Sequence, residues 1–238
     1  MYPEGSLVTD SALRELADDP SSRKRFFKML GGAGAVGAAT VLLAACGDDK
    51  KDSGSAPAAG TTTPEADNAG DLKIVNYALT LEYLEATFYQ EVLDSGVIKD
   101  KKIGELAKGL AQAEQEHVDA LIATAKSLGG TPATKPKTTF QDTIAKGPET
   151  ILMTAATVEN LGAAAYLGQA GNIKSKDILA AALSIHSVEA RHAAALNQLV
   201  GRGFGGKGGL EGSLPDGPFA KPMDMDAVLK AVAPFIAS

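Results

Sequence analysis

Two of the three histidines in this 238-residue chain lie in copies of one short motif, Glu-x-x-His. Glu114 and His117 form the first copy, and Glu189 and His192 form the second. Residues three apart on an α-helix share a face, so each copy can direct a carboxylate and an imidazole at one metal ion. This ligand mixture suits iron or manganese, and a single cysteine, Cys46, excludes a Cys-rich site. The repeated motif therefore predicts a metal centre.

The elements that must position these residues are four segments with helical apolar periodicity. They cover about residues 71–95, 102–128, 148–170 and 176–200. The motifs interrupt the apolar stripes of the second and fourth segments, and Glu82 and Glu159 interrupt the first and third. A buried carboxylate is costly unless it is paired, protonated or bound to a cation. A shared cation is one explanation; buried hydrogen-bonded networks or surface ion pairs are the alternative.

Some assignments around this constellation stay open. Glu85 lies one turn after Glu82 and is its rival, either as a ligand or as an exposed acid. Tyr89 favours Glu82, because the two share a helix face. His186 lies outside the motif and is expected beside the site or at the surface, with replacement of a ligand as the alternative; Glu116 is expected to be solvated.

The connections predict the topology. Short Gly-containing turns join the first segment to the second and the third to the fourth, as in antiparallel hairpins. About nineteen residues, with Pro132 and Pro136 among them, join the second to the third, which is long enough to cross a bundle. A Gly-rich stretch follows Gly201, and residues 225–236 are expected to form a short packing helix.

The order Glu, Glu-x-x-His, Glu, Glu-x-x-His, with one group per helix, resembles the ligand pattern of ferritin-like di-iron and di-manganese carboxylate proteins. The resemblance covers about residues 71–200 and is nearest to exported bacterial ferritin-like proteins, some described as desiccation-related. It implies an all-α four-helix bundle of two hairpins and a long crossover, holding two iron ions or, alternatively, manganese. The implied ligands are Glu82, Glu114, His117, Glu159, Glu189 and His192. Tyr89 and Tyr166, seven residues after Glu82 and Glu159, are expected next to them.

The first 45 residues predict an export signal. Arg23, Lys24, Arg25 and Lys28 precede a Gly/Ala-rich apolar run that is too short and weakly apolar to span a membrane. The basic stretch resembles the twin-arginine consensus, although its register departs from it, so general secretion stays open. The run ends at Cys46 in a sequence that resembles a lipobox, which predicts lipid attachment there and an extracytoplasmic position at the cell envelope. Residues 46–70 have the composition of a flexible linker.

Composition narrows the remaining classes. A net charge of −6 with 45% apolar residues predicts a globular domain without a basic surface for nucleic acid. Two alternative functions are therefore considered. The first is a lipid-anchored di-metal oxidoreductase acting on oxygen or peroxide, of ferroxidase, peroxidase or catalase type. The second is a non-catalytic envelope lipoprotein with a structural or desiccation-related role. The sequence leaves a homodimer open.

Overall fold

The computed structural model describes residues 64–202 and 220–237, with the side chains of residues 64–67 left out. Within these ranges the chain is helical, and its only β-pairing is one isolated bridge between Thr138 and Ile236. The helices are α1 (Pro64–Ser95), α2 (Lys101–Ser127), α3 (Gln141–Ala145), α4 (Pro148–Ala170), α5 (Lys176–Leu199) and α6 (Met225–Val232), followed by a 3-10 turn (Ala233–Phe235). The all-α prediction is confirmed.

Two helical hairpins form the bundle, as the short turns predict. α1 packs along α2, α4 packs along α5, and α1 also faces α4. The side chains of Asp100 and Ser175 cap the first turns of α2 and α5 by accepting the amides of Ile103 and Ile178. Gly129, at φ 75°, ends α2 in a left-handed conformation that glycine adopts without a steric penalty. These stop and start signals explain why the predicted boundaries of α2, α4 and α5 lie within one residue of the observed ones.

The first helix begins earlier than predicted. α1 starts at Pro64, whereas apolar periodicity predicts a start at about Asp71, so residues 64–70 of the expected linker are helical. Proline fits the first turn of a helix, because amide hydrogens in that turn have no acceptor within the helix and the one that proline lacks is not needed. Residues 68–70 are exposed and bury no apolar face. A helical turn without a buried stripe carries no periodic signal, and the prediction misses it for that reason.

The long crossover between the hairpins is anchored rather than featureless. Within it, Phe140 is fully buried and Ile144, on α3, is 4% exposed. Phe140 stacks against Phe235 of the C-terminal segment at a ring-centroid distance of 5.2 Å. Thr139 also donates its backbone amide to the Phe235 carbonyl. The C-terminal segment thereby fastens the crossover to the bundle.

The predicted packing helix is present but shorter, because α6 ends at Val232 and the chain continues as the 3-10 turn. Met223, just before α6, donates its amide to the Ala164 carbonyl of α4, with an N···O distance of 3.1 Å. Val228 and Val232 are buried in the core. This segment thus closes one side of the bundle next to α4.

The apolar core consists of two clusters, and the predicted metal residues lie between them along the helices. On α2, Glu114 lies between Leu110 of one cluster and Val118 of the other. On α5, Glu189 lies between Ile185 and Leu196 in the same way. The bundle therefore holds a polar layer in an otherwise apolar interior.

The predicted export signal, Cys46 and residues 46–63 of the linker lie outside the described residues. In the part of the chain that the structure describes, no helix combines the length and the apolarity needed to cross a membrane.

Candidate metal centre

All six residues of the predicted constellation meet in the polar layer. The four glutamates, Glu82, Glu114, Glu159 and Glu189, have no solvent-exposed surface. The side chains of His117 and His192 are 12% and 15% exposed. Each of the four long helices contributes at least one of these side chains, so the site depends on the assembled bundle.

The six side chains form two overlapping groups, each able to surround one cation. In each group the donor atoms lie within 4.8 Å of one another. One group contains Glu82 and His117, the other contains Glu159 and His192, and both contain Glu114 and Glu189. Two neighbouring ions would therefore share these last two carboxylates.

His117 has more acceptors around one nitrogen than a single proton can serve. Its Nδ1 lies 3.1 Å from Glu82 Oε2, 2.9 Å from Glu114 Oε2 and 3.2 Å from Glu189 Oε1. A ring nitrogen carries at most one hydrogen, and that hydrogen cannot satisfy three carboxylates from three helices. A cation among these atoms would satisfy all of them at once.

His192 occupies the equivalent place on the other side of the layer. Its Nδ1 lies 2.9 Å from Glu114 Oε1 and 3.2 Å from Glu159 Oε2. The two imidazole rings lie with their centroids 6.4 Å apart. The second hairpin thus repeats the first, as the repeated motif predicts.

The two tyrosines contact the site across the bundle rather than along their own helices. Tyr89 of α1 donates its hydroxyl to Glu159 of α4 at 2.6 Å, and Tyr166 of α4 donates to Glu82 of α1 at 2.5 Å. Both tyrosines are buried. Each fixes the carboxylate of the opposite hairpin, and this reciprocal pairing obeys the same two-fold relation as the motifs.

The pKa values of the glutamates reflect several carboxylates buried close together. Burial and the negative charge of Glu159 raise the pKa of Glu114 to about 7. Burial and the charges of Glu114 and Glu82 hold the pKa of Glu189 well above its ordinary value. Glu82 differs: burial opposes its ionisation, but the charge and hydrogen bond of His117 outweigh burial and lower its pKa.

The imidazoles respond in the opposite sense to the acids around them. Burial alone would lower the pKa of His192, but hydrogen bonds to Glu114 and Glu159 outweigh it and raise the pKa to about 9. Burial is likewise outweighed at His117, chiefly by the charge of Glu82, and its pKa is raised. Without a metal ion, protons bound to these groups supply the positive charge in this layer.

The residues fit a pair of divalent cations. Among the described residues, Glu189 Oε2 is buried without a hydrogen-bond donor, and Glu114 Oε1 and Glu189 Oε1 face only imidazole nitrogens that other carboxylates also contact. These are atoms of the two carboxylates shared by both groups. Buried oxygens without donors are costly, and cations satisfy them. Four carboxylates balance two divalent ions, which removes the charge that burial penalises.

The residues whose roles the sequence leaves open are now placed. Glu85 is not an exposed acid: it is 3% exposed and stands beside the layer, but outside both groups. His186 Nδ1 contacts the backbone carbonyl of Ala163 at 3.0 Å and belongs to neither group. Glu116 accepts a hydrogen bond from Gln112 away from the layer.

One residue of the site is missed by sequence reasoning. A Cβ at Gly162 would lie 2.6 Å from Glu189 Oε2 and 2.9 Å from Glu85 Oε1. Such distances are shorter than van der Waals contact, so the absence of a side chain makes room for both carboxylates. The available signal is its position, three residues after Glu159 as Glu85 is three after Glu82.

The comparisons with known proteins agree with this geometry. A family model described as "Ferritin-like domain" matches residues 70–202, which cover most of α1 and all of α2 to α5 and contain all six predicted metal residues. No curated protein matches the chain. The match covers more than half of the sequence, and the chain therefore belongs to the ferritin-like domain family.

Proposed function

We propose that this protein binds a dinuclear iron centre, with manganese as the alternative, and acts as an oxidoreductase on oxygen or peroxide. The observation that carries the proposal is the sharing of Glu114 and Glu189 by two carboxylate and imidazole groups in one buried layer. A site for one cation needs no second group, and a structural network leaves no buried carboxylate oxygens without donors.

The chain's own residues divide the work of such a centre. Glu82 and His117 would hold one ion, Glu159 and His192 would hold the other, and Glu114 and Glu189, which belong to both groups, would contribute to both. Bound iron or manganese would supply redox chemistry toward oxygen or peroxide, with ferrous iron as a substrate in the ferroxidase case. The apolar clusters on either side exclude bulk water from the layer.

The tyrosines and histidines position the carboxylates. The hydroxyls of Tyr89 and Tyr166 restrain the carboxylates of Glu159 and Glu82, which leaves the opposite oxygen of each carboxylate toward the histidines. Hydrogen bonds of this kind orient ligands in metal sites. Both tyrosines keep their protons, because burial and the neighbouring acids raise the pKa of each hydroxyl.

Anaerobic titration of the metal-free chain with ferrous iron, followed by oxygen, tests the proposal. We expect two ions per chain and, after oxygen, the near-ultraviolet absorption of an oxidised di-iron pair. The variant carrying Glu189→Ala and His192→Ala should bind fewer than one ion. Glu105→Gln, at an exposed residue whose nearest cation is Lys101 at 3.9 Å, should bind two.

The same experiment separates the proposal from a non-catalytic bundle. If wild type and double variant have equal, substoichiometric metal content and oxygen produces no spectral change, the dinuclear function is wrong. Two ions without any turnover of oxygen or peroxide would leave a metal-binding protein and refute the oxidoreductase role. Titration with Mn²⁺ and with peroxide as oxidant distinguishes the manganese alternative.

We also propose that the domain works outside the cytoplasm, attached to the membrane through a lipid on Cys46. The support is the basic cluster, the short apolar run and the cysteine that follows it. The linker beyond Cys46 would separate the bundle from the surface. Labelled palmitate should enter the membrane-bound wild-type protein, whereas Cys46→Ala should take up no label; equal labelling of both would refute the anchor.

A further inference from the structure

The glutamates and tyrosines that α1 and α4 contribute to the polar layer follow an approximate two-fold relation, and one position departs from it. Glu82 and Tyr89 of α1 correspond to Glu159 and Tyr166 of α4, with the same spacing within each helix. The reciprocal tyrosine contacts confirm this correspondence in three dimensions. Under the same relation Glu85 corresponds to Gly162. The layer therefore has a fifth carboxylate on one side and no side chain on the other.

The surroundings of Glu85 do not explain a structural role. Its side chain is 3% exposed, and its Oε2 has no hydrogen-bond partner within the described part of the chain. It lines a cavity of about 10 Å³ whose other walls are mostly apolar and include Val232 and Phe235 of the C-terminal segment. A buried carboxyl oxygen without a hydrogen-bond partner costs free energy that packing alone does not return.

Glu85 also faces the shared part of the layer. Its Oε1 and Glu189 Oε2 approach the same point beside Gly162, at 2.9 Å and 2.6 Å from where a Cβ would lie. The strongest electrostatic influences on Glu85 are the charges of Glu189 and Glu82. Glu189 belongs to both groups, but Glu82, one turn before Glu85 on α1, belongs only to the group that contains His117, and its charge acts on Glu85 more strongly than that of Glu159. The fifth carboxylate thus stands on the His117 side of the layer.

We propose that Glu85 is an additional ligand of the ion held by Glu82, Glu189 and His117, and that it makes the two metal positions unequal. Gly162 occupies the corresponding position on α4. Because it has no side chain, it leaves space for the carboxylates of both Glu85 and Glu189. The position on the His192 side has no such carboxylate and binds its ion more weakly. This inference rests on the proposed dinuclear function.

Stepwise binding of Mn²⁺ to the metal-free full chain, followed by calorimetry and electron paramagnetic resonance, tests the inference. We expect two unequal affinities in the wild type. Glu85→Gln keeps the shape of the side chain, should weaken the tighter step by about tenfold or more, and should leave the weaker step unchanged. Its metal-free form should melt at a higher temperature than wild type, because an unpartnered buried acid has been replaced by a neutral amide.

Substitution of each histidine identifies the two steps. His117→Ala should abolish the tighter step and leave the weaker one, whereas His192→Ala should abolish the weaker step and leave the tighter one. Circular dichroism checks that each metal-free variant is folded.

The outcomes separate this inference from the proposed function. If Glu85→Gln leaves the Mn²⁺ affinities of both binding steps unchanged, or lowers both equally, the role of Glu85 is overturned and the dinuclear centre stays intact. If the wild type itself binds no Mn²⁺ or Fe²⁺, the proposed function fails and the inference fails with it. A loss of Mn²⁺ affinity confined to the tighter binding step supports the assignment of Glu85.

Discussion

The metal-free bundle should become less stable toward unfolding as the pH rises from 6 to 9.5. The magnitude can be worked out for His192, whose pKa is about 9 in the folded chain against an ordinary value of 6.5; the raised pKa of His117 acts in the same direction. The folded state retains a proton there that the unfolded chain has already lost. Its stabilising contribution is complete below pH 6.5 and disappears as the pH passes through about 9.

The size of the effect follows from the pKa difference. The difference between the two pKa values of His192 corresponds to about 3 kcal/mol of unfolding free energy, at 1.36 kcal/mol per unit. Glu114 acts in the same direction, because its pKa of about 7 exceeds the ordinary 4.5 and its buried carboxylate loses a proton as the pH rises. The two groups share one contact, so we count it once. A urea slope of about 1–3 kcal/mol per molar converts this loss into a midpoint decrease of about 1–3 M.

Urea unfolding of the chelator-treated chain, followed by circular dichroism at several pH values, measures this loss. His192→Gln should reduce the dependence while His117 still contributes, whereas His186→Gln, at a histidine outside both metal groups, should preserve it in full. Saturating Mn²⁺ should remove or reverse the slope, because metal ligands bind in their deprotonated forms. A metal-free stability that is constant or increases between pH 6.5 and 9 would refute the assignment of the protons in the layer.

Two substitutions test how the layer is built. Gly162→Ala places a Cβ 2.6 Å from Glu189 Oε2, so we expect about a tenfold loss of metal affinity by calorimetry. Gly109→Ala, where a Cβ meets nothing within 4 Å, should leave affinity unchanged and stabilise its helix by about 0.5–1 kcal/mol; equal affinities would contradict the packing argument. Tyr166→Phe removes the donor to Glu82 and should cost the metal-free chain about 1.5–3 kcal/mol in urea unfolding, against less than about 0.5 kcal/mol for Tyr83→Phe at a half-buried site. A loss at Tyr166 no larger than at Tyr83 would contradict the role of this hydrogen bond.

The sequence predicts the helices and the constellation for physical reasons that the structure makes visible. α2, α4 and α5 bury apolar stripes and end at glycines or begin at capping residues, and both signals are local. The six metal residues are recognisable because the apolar stripes make any interruption conspicuous. Residues 68–70 of α1 are exposed and add nothing to the apolar stripe, and the start of the helix at Pro64 is missed.

What the sequence cannot predict depends on contacts between helices. Helical spacing places Tyr89 on the face of Glu82, yet its hydroxyl binds Glu159 on the opposite hairpin. The burial of Glu85 follows from the lack of a side chain at Gly162, on a different helix. Neither pairing exists until the two hairpins pack together, so a one-dimensional pattern contains neither.

The buried layer can be neutralised in two ways, and the competition between them connects stability with function. In the metal-free chain burial and neighbouring carboxylates raise the pKa values of Glu114 and Glu189, and hydrogen bonds to Glu114 and Glu159 outweigh burial and raise that of His192, so protons are the available positive charge. Metal ions require the same residues without those protons. Metal affinity should therefore increase with pH over the range in which metal-free stability decreases. The two states have opposite pH dependences because protons and metal ions compete for the same buried layer.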